Sequence, residues 1–180
     1  MAIDLSKITL RPFNLRDVDD VMLFAGDDQV TRYLRRRTLT SKDEALTFLK
    51  DVCNPDHHHW HRSICIDDRS IGFISVFPVG SGDESFFRAE MSAGLAAKYW
   101  EQGVATQAMT IAVAQVFKDL PHLVRLEGFV YVENKASQRV VEKVGFQKEG
   151  YLRKYRLKRG RFRDGFIYSF LSTDFLHSKL

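Results

Sequence analysis

The chain has 180 residues, 44% hydrophobic and 28% charged, with a formal net charge of +4. This is the size and balance of one soluble globular domain with a continuous core, so a single domain over residues 1–180 is expected. No apolar run approaches the ~20 residues of a membrane span. The start Met1-Ala2-Ile3-Asp4-Leu5 lacks the basic-then-apolar order of a secretory signal. Cys53 and Cys65 build neither a disulfide framework nor a metal quartet. The expected compartment is a reducing cytosol, with the nucleus as the alternative and no membrane partner.

The positive charge is local. Seven basic and no acidic residues lie between Arg153 and Arg163. Without them, 20 basic residues stand against 23 acidic ones. The mild overall excess does not by itself imply nucleic acid.

In chain order, Lys7 to Arg11 alternates like a short strand that Pro12 closes. Asn14 or Asp17 can cap a helix carrying Val18, Val21, Met22 and Ala25, which Gly26-Asp27-Asp28 breaks. Ser41-Lys42-Asp43-Glu44 reads as a capping box before a second helix, stopped at Asn54-Pro55. Trp60–Ile66 and Ile71–Phe77 read as a hairpin around Asp67-Asp68-Arg69-Ser70. Pro78 to Asp83 reads as a loop. From Phe87 to Leu95 the odd positions are apolar and the even ones polar or small, as in a strand with one core face. A largely apolar helix over about 102–118 follows. Val124, Leu126, Gly128, Val130 and Val132 share one face of the next strand. Asn134 to Lys143 is a short helix with Gly145 as its C-terminal cap. Two strands, about 150–157 and 162–171, end the series. The central strand–helix–strand should be a right-handed parallel crossover in a mixed α/β sheet.

The chemistry gathers where that crossover helix begins, at Tyr99-Trp100-Glu101-Gln102-Gly103-Val104-Ala105-Thr106. Gly103 allows close backbone approach and Ala105 keeps the next turn small. Free N–H groups at a helix start, aided by the helix dipole, attract an anion such as a pyrophosphate. The same turn is also read as a tight connection that binds nothing. Asn134 can accept the Ser137 N–H, and Gly145-Phe146 can be a plain helix stop.

Together these pieces resemble the acetyl-CoA-binding motifs of the GNAT superfamily of N-acetyltransferases. The resemblance rests on Glu90-Met91-Ser92-Ala93-Gly94-Leu95, Trp100 to Ala108, and Asn134-Lys135-Ala136-Ser137…Val144-Gly145-Phe146…Glu149-Gly150. Ile8-Thr9-Leu10-Arg11-Pro12 and Gly160…Asp164 resemble the ribosomal-protein alanine acetyltransferase branch. The resemblance implies a mixed, mostly antiparallel, strongly twisted α/β sheet with helices on both faces. It implies acetyl transfer from acetyl-CoA to a primary amine through a ternary complex, with no metal. It implies pyrophosphate contacts from Gln102, Gly103, Val104, Ala105 and Thr106, and pantetheine pairing near Ala93 and Leu95. Asn134 would contact the cosubstrate, and Ser137 would lie near its thiol as the candidate acid. Trp100 stands where relatives commonly carry Gln or Arg, a mark of the branch. Ser137 replaces the tyrosine that some relatives use.

The reaction needs a neutral amine and a route for one proton. Glu90, on the polar strand face, is the candidate base; its bland reading is a surface carboxylate or a partner for Arg88. Ser137 as acid competes with a serine that only hydrogen-bonds backbone or cosubstrate. The run His57-His58-His59-Trp60-His61 points side chains alternately and is not read as a metal site. Arg35-Arg36-Arg37 is read as solvated or as a contact for substrate or cosubstrate phosphate; Asp27-Asp28 could attract a cationic acceptor.

The hairpin Arg153–Arg163 supports a rival: a non-catalytic RNA- or ribosome-binding module using stacked aromatics and cations. It also suits docking of an acidic protein acceptor. Expected partners remain acetyl-CoA and an amine acceptor, a protein among them, without nucleic acid, in a monomer or homodimer.

Overall fold

The structure is a computed structural model; it describes residues 3–54 and 59–177. The chain divides into two compact units. One holds the chain up to Val76 together with Ser92–Ala112; the other holds Phe77–Met91 and the chain from Val113 on.

In the first unit the strand order is β1 (Ile8–Arg11), β2 (Trp60–Ile66), β3 (Arg69–Pro78), β4 (Arg88–Leu95), the last two running on into the second unit. β1 and β2 are antiparallel, with Ile8 opposite Ile66, and β2 and β3 likewise. The β2–β3 turn is shorter than the sequence suggests. Asp67 and Asp68 alone form it, at φ 49° and 62°, and β3 already starts at Arg69. Two left-handed residues match the strand twist, and aspartate tolerates that region. Arg11 Nε holds Asp68 at 2.7 Å and Arg16 holds its other oxygen at 3.1 Å.

Asn14 and Asp17 both act at the next helix start, reciprocally. Asn14 Oδ1 accepts the Arg16 N–H at 3.1 Å, and Asp17 Oδ2 accepts the Asn14 N–H at 2.8 Å. The helix α1 (Val18–Ala25) ends at Gly26, as expected. Asp27 then caps a one-turn α2 (Asp28–Thr31) that the sequence reading passed over. Ser41 caps α3 (Lys42–Val52) through the Glu44 N–H at 3.2 Å. The box is offset by one residue: the Glu44 carboxylate accepts from the Thr40 N–H at 2.7 Å. Pro55 lies outside the described residues. Val21, Phe24 and Ala25 of α1 meet Ala45 and Leu49 of α3, with Phe13, Phe73 and Ala96, in one apolar cluster.

In the second unit the strand order is β4, β5 (Arg125–Tyr131), β7 (Arg161–Leu171), β6 (Gln147–Lys158). β4 and β5 are parallel, from Arg88↔Arg125 to Glu90↔Glu127. β5–β7 and β6–β7 are antiparallel. The sheet is thus mixed and mostly antiparallel, the class read from the sequence. The parallel pair is joined by α5 (Val104–Asp119), as the crossover reading requires. A short helix α4 (Asp83–Phe87) replaces part of the expected loop and takes Phe87 out of the strand. Phe87 is exposed, so the β4 core face is Ala89, Met91 and Leu95. Val124 is likewise exposed and precedes β5, whose core residues are Leu126, Gly128 and Val130. Both end residues fail for one reason: a strand end has no neighbour to cover it, whatever its parity.

The helix α6 (Lys135–Val144) starts at Asn134 and stops at Gly145, at φ 109°. Phe146 and Phe170 rings pack 5.4 Å apart behind that cap. β6 and β7 turn on Arg159-Gly160, at φ 49° and 72°. A last helix, α7 (Ser172–His177), follows β7.

Candidate active site

In the first unit, Ala93 and Leu95 lie on β4 and Gln102 to Thr106 lie at the start of α5. Glu101 and Gly103 are both left-handed, at φ 60° and 80°. Gly103 is needed for that conformation rather than for space, since an added Cβ would sit 3.3 Å from the Leu5 Cδ1. The Gly103 carbonyl takes the first intrahelical bond, from the Gln107 N–H at 3.0 Å. The N–H groups of Val104, Ala105 and Thr106 precede it and point out of the helix start. Gly103 and Gln102 are exposed, whereas Val104 is buried and anchors the turn. Gln102 Nε2 donates to the Lys98 carbonyl at 2.8 Å, which folds its side chain back on the turn. Trp100 Nε1 donates to the Leu95 carbonyl at 2.8 Å, tying the end of β4 to the turn. A helix start whose leading N–H groups precede the first intrahelical bond is able to hold an anion such as a pyrophosphate.

β4 is held tightly on its other side. A Cβ at Gly72 would meet the Gly94 carbonyl oxygen at 2.4 Å, and one at Gly94 would meet the Phe73 ring at 2.4 Å. The Ala96 N–H donates to the Ile71 carbonyl at 2.9 Å.

The second unit holds Glu90, Asn134 and Ser137. Asn134 Oδ1 accepts the Ser137 N–H at 3.2 Å, the cap read from the sequence. Among the described residues the Ser137 hydroxyl makes no hydrogen bond, so it is available as a donor. Gln138, buried behind it, donates to the Tyr131 and Val132 carbonyls at 3.1 and 2.9 Å and fixes the helix start on β5.

Glu90 does not pair with Arg88. Arg156 of β6 donates to both Glu90 oxygens, at 3.0 and 2.7 Å, and both side chains are largely buried. The Arg156 guanidinium lies 4.6 Å from the Phe129 ring centre. Arg88 instead lies 3.1 Å from Glu127 Oε1. Arg156 was one of seven basic residues in its tract; only the β6 irregularity singles it out. Register with β7 slips between Leu152 and Arg156, and Lys154 is left-handed at φ 48°. Asp164 fixes this bulge, accepting the Lys154 N–H at 2.7 Å and the Tyr151 hydroxyl.

A second charged group on this unit escaped the sequence reading. Arg125 donates to Glu127 at 2.7 Å and to both oxygens of Glu149, at 3.0 and 2.6 Å. Ser169 adds a 2.6 Å bond to Glu149. The Arg125 guanidinium first, then the Ser169 hydroxyl, hold the Glu149 carboxyl down at about 2. A depressed acid stabilises the fold above its unfolded pKa and loses that contribution as pH falls through the folded value. The loss should run from about pH 4.5 down to about 2. Glu149 is 42% exposed, so screening reduces the effect to about 1 kcal/mol. Acid melting of Glu149→Gln, compared with the parent over that window, checks this: the variant should lose less stability on acidification.

Other candidates that the structure describes have partners within the chain. His57 and His58 lie outside the described residues; His61 Nδ1 meets Ser75 Oγ at 2.7 Å. Arg37 pairs with Glu44 at 2.7 Å, and Arg36 covers the Phe48 ring at 3.9 Å. Asp27 caps α2, and Asp28 accepts from Thr38 at 2.5 Å. Among the described residues no three His, Cys, Asp or Glu are placed to hold a metal ion. Among them no helix is long and apolar enough to cross a membrane.

The chain matches the family description "Acetyltransferase (GNAT) domain" over residues 7–147. It is 27% identical over 170 residues to the uncharacterized N-acetyltransferase p20 of Bacillus licheniformis, covering 94% of this chain and 95% of that one. Its fold is similar to spermidine N-acetyltransferase from Vibrio cholerae in complex with CoA and spermine, with TM-score 0.80 and 21% identity over 95% of this chain and 98% of that one. It is also similar to Mycobacterium smegmatis RimJ in complex with CoA-disulfide, with TM-score 0.77 and 22% identity over 93% and 83%.

Proposed function

Since this chain belongs to the GNAT acetyltransferase family and is an acetyl-CoA-dependent acyltransferase, we propose that it acetylates a primary amine directly, in a ternary complex. The observation that carries this reading is the left-handed Gly103 turn opening α5, where the Val104, Ala105 and Thr106 N–H groups come before the first intrahelical bond. In this reading Gln102 to Thr106 hold the pyrophosphate, and Ala93 and Leu95 pair with pantetheine. Asn134 contacts the same cosubstrate, and Ser137 reaches its sulfur. One family match running from residue 7 to 147 supports treating residues 1–180 as one catalytic domain. The two cysteines, both free thiols, suit a reducing cytosol.

The residues divide the work by position. Glu90 takes a proton from the acceptor nitrogen, directly or through water. The neutral nitrogen then forms its bond to the acetyl carbon as the carbon–sulfur bond breaks. Ser137 hands a proton to the departing sulfur and takes up the surplus proton of the newly bonded nitrogen. Amide and thiol thus both leave neutral, and Glu90 returns the first proton to solvent. Holding both partners close supplies much of the rate. The acceptor is read as a protein N-terminus, in keeping with the ribosomal-type branch. Support comes from Ile8 to Pro12, Trp100 and Gly160…Asp164.

Thiol release from acetyl-CoA tests the reading, with peptides of different first residues set against spermidine. Peptide-dependent release, varying with the first residue, is expected. Release with spermidine alone would remove the N-terminal preference. Salt-dependent RNA binding without any response to acetyl-CoA would overturn the proposal and favour the module reading.

A further inference from the structure

We propose that Arg156 is a positioning residue for Glu90, setting the direction in which that carboxylate meets the acceptor amine. The proposal rests on Glu90 being the base. A carboxylate on a strand turns about its own side-chain bonds, and a base must be within hydrogen-bond reach of the proton it takes. Arg156 removes that freedom. Its terminal nitrogen reaches both Glu90 oxygens, at 3.0 and 2.7 Å. Arg156 is itself braced on the Phe129 ring, 4.6 Å away, and that ring packs so close to Gly165 that a Cβ there would come within 2.2 Å of it.

The backbone delivers Arg156 to this place by a specific device. An unbroken β6 would continue the register set by Leu152 opposite Gly165; instead Arg156 stands opposite Arg163. Two extra residues are taken up around Lys154, in the left-handed region, where Asp164 accepts its N–H. The same bulge lays the Tyr155 ring 5.3 Å from Phe129, beside Arg156. Bulges of this kind re-aim side chains. Here the outcome is a guanidinium on β6 bonded to a carboxylate 66 residues earlier in sequence.

A double-mutant cycle tests the idea. Glu90→Gln, Arg156→Gln and the pair are compared by kcat and by KM for acetyl-CoA, with melting confirming that each is folded. Arg156→Gln is expected to lower kcat at least tenfold, within the range a positioned base contributes, with KM for acetyl-CoA changed less than twofold. Because Arg156 acts through Glu90, the pair should be no slower than Glu90→Gln alone. Arg156→Lys, which keeps the charge but not the planar fork, should recover part of the rate; it replaces Arg156→Gln in the cycle if that variant is unfolded. Full activity of Arg156→Gln, or losses that multiply in the pair, would overturn the positioning role while leaving Glu90 as base. Full activity of Glu90→Gln would instead overturn the base reading, and with it the proposal.

Discussion

Gly103→Val is expected to abolish the thermal stabilisation that acetyl-CoA gives this protein. The wild type, at 100 times its dissociation constant, should gain ~2.7 kcal/mol. Gly103 sits at φ 80°, a region that a β-branched residue occupies only under strain. The cost is on the order of 1–3 kcal/mol, and the chain can relieve it by turning the peptide. Turning it re-aims the N–H groups that precede the first bond of α5. The unliganded variant should therefore melt only somewhat lower, since the Leu5 side chain, 3.3 Å from an added Cβ, can give way. The response to acetyl-CoA should vanish. A variant that kept the full shift would remove this turn from the cosubstrate site.

Gly72→Ala is expected to be the most destabilising single-methyl change on β3. Its Cβ would stand 2.4 Å from the Gly94 carbonyl oxygen and 3.1 Å from the Leu95 Cα, both backbone atoms. A side-chain tip could rotate away; a paired strand cannot. Overpacking of this kind costs about 3 kcal/mol, which for a chain of this size lowers Tm by roughly 6–12 °C. Gly128→Ala is the control, because its Cβ would meet only the Tyr168 Cβ, at 4.0 Å. It should melt near the wild type. Strand β4 pushed aside at Leu95 should also raise KM for acetyl-CoA, if Leu95 pairs with pantetheine as proposed. Equal melting of the two variants would contradict the close approach of β3 and β4.

What the sequence made legible was whatever is written in neighbouring residues. Asn134 with Ser137, Gly145 at the end of α6, and the alternation along β4 depend on spacings of one to four residues, and all three stand in the structure. The Gly103 turn was legible for the same reason. Arg156 was not. Its partner is in another strand, and its place along β6 depends on a bulge that no local pattern announces. Glu90 was legible as a polar-face carboxylate, and the alternative to a base was a surface group or a partner for the nearby Arg88, whose parity matches. Strand pairing decided otherwise, setting Glu127 of β5 beside Arg88. The helix α4 was hidden by the glycines before it, which read as a loop.

The far end of the β6–β7 hairpin sets Arg156 directly opposite Arg163, and Lys158 opposite Arg161. Like charges in these positions repel. A hairpin is otherwise a quick β-unit to form, because its chain closure is short. Here the offsetting carboxylates come from elsewhere: Glu90 on β4 meets Arg156, and Glu133 before α6 meets Arg163 at 3.2 Å. The hairpin's outer part thus takes the carboxylates that offset its charge from β4 and from the turn before α6. The Glu90 carboxylate, in return, has its Arg156 partner only through the pairing of β6 with β7.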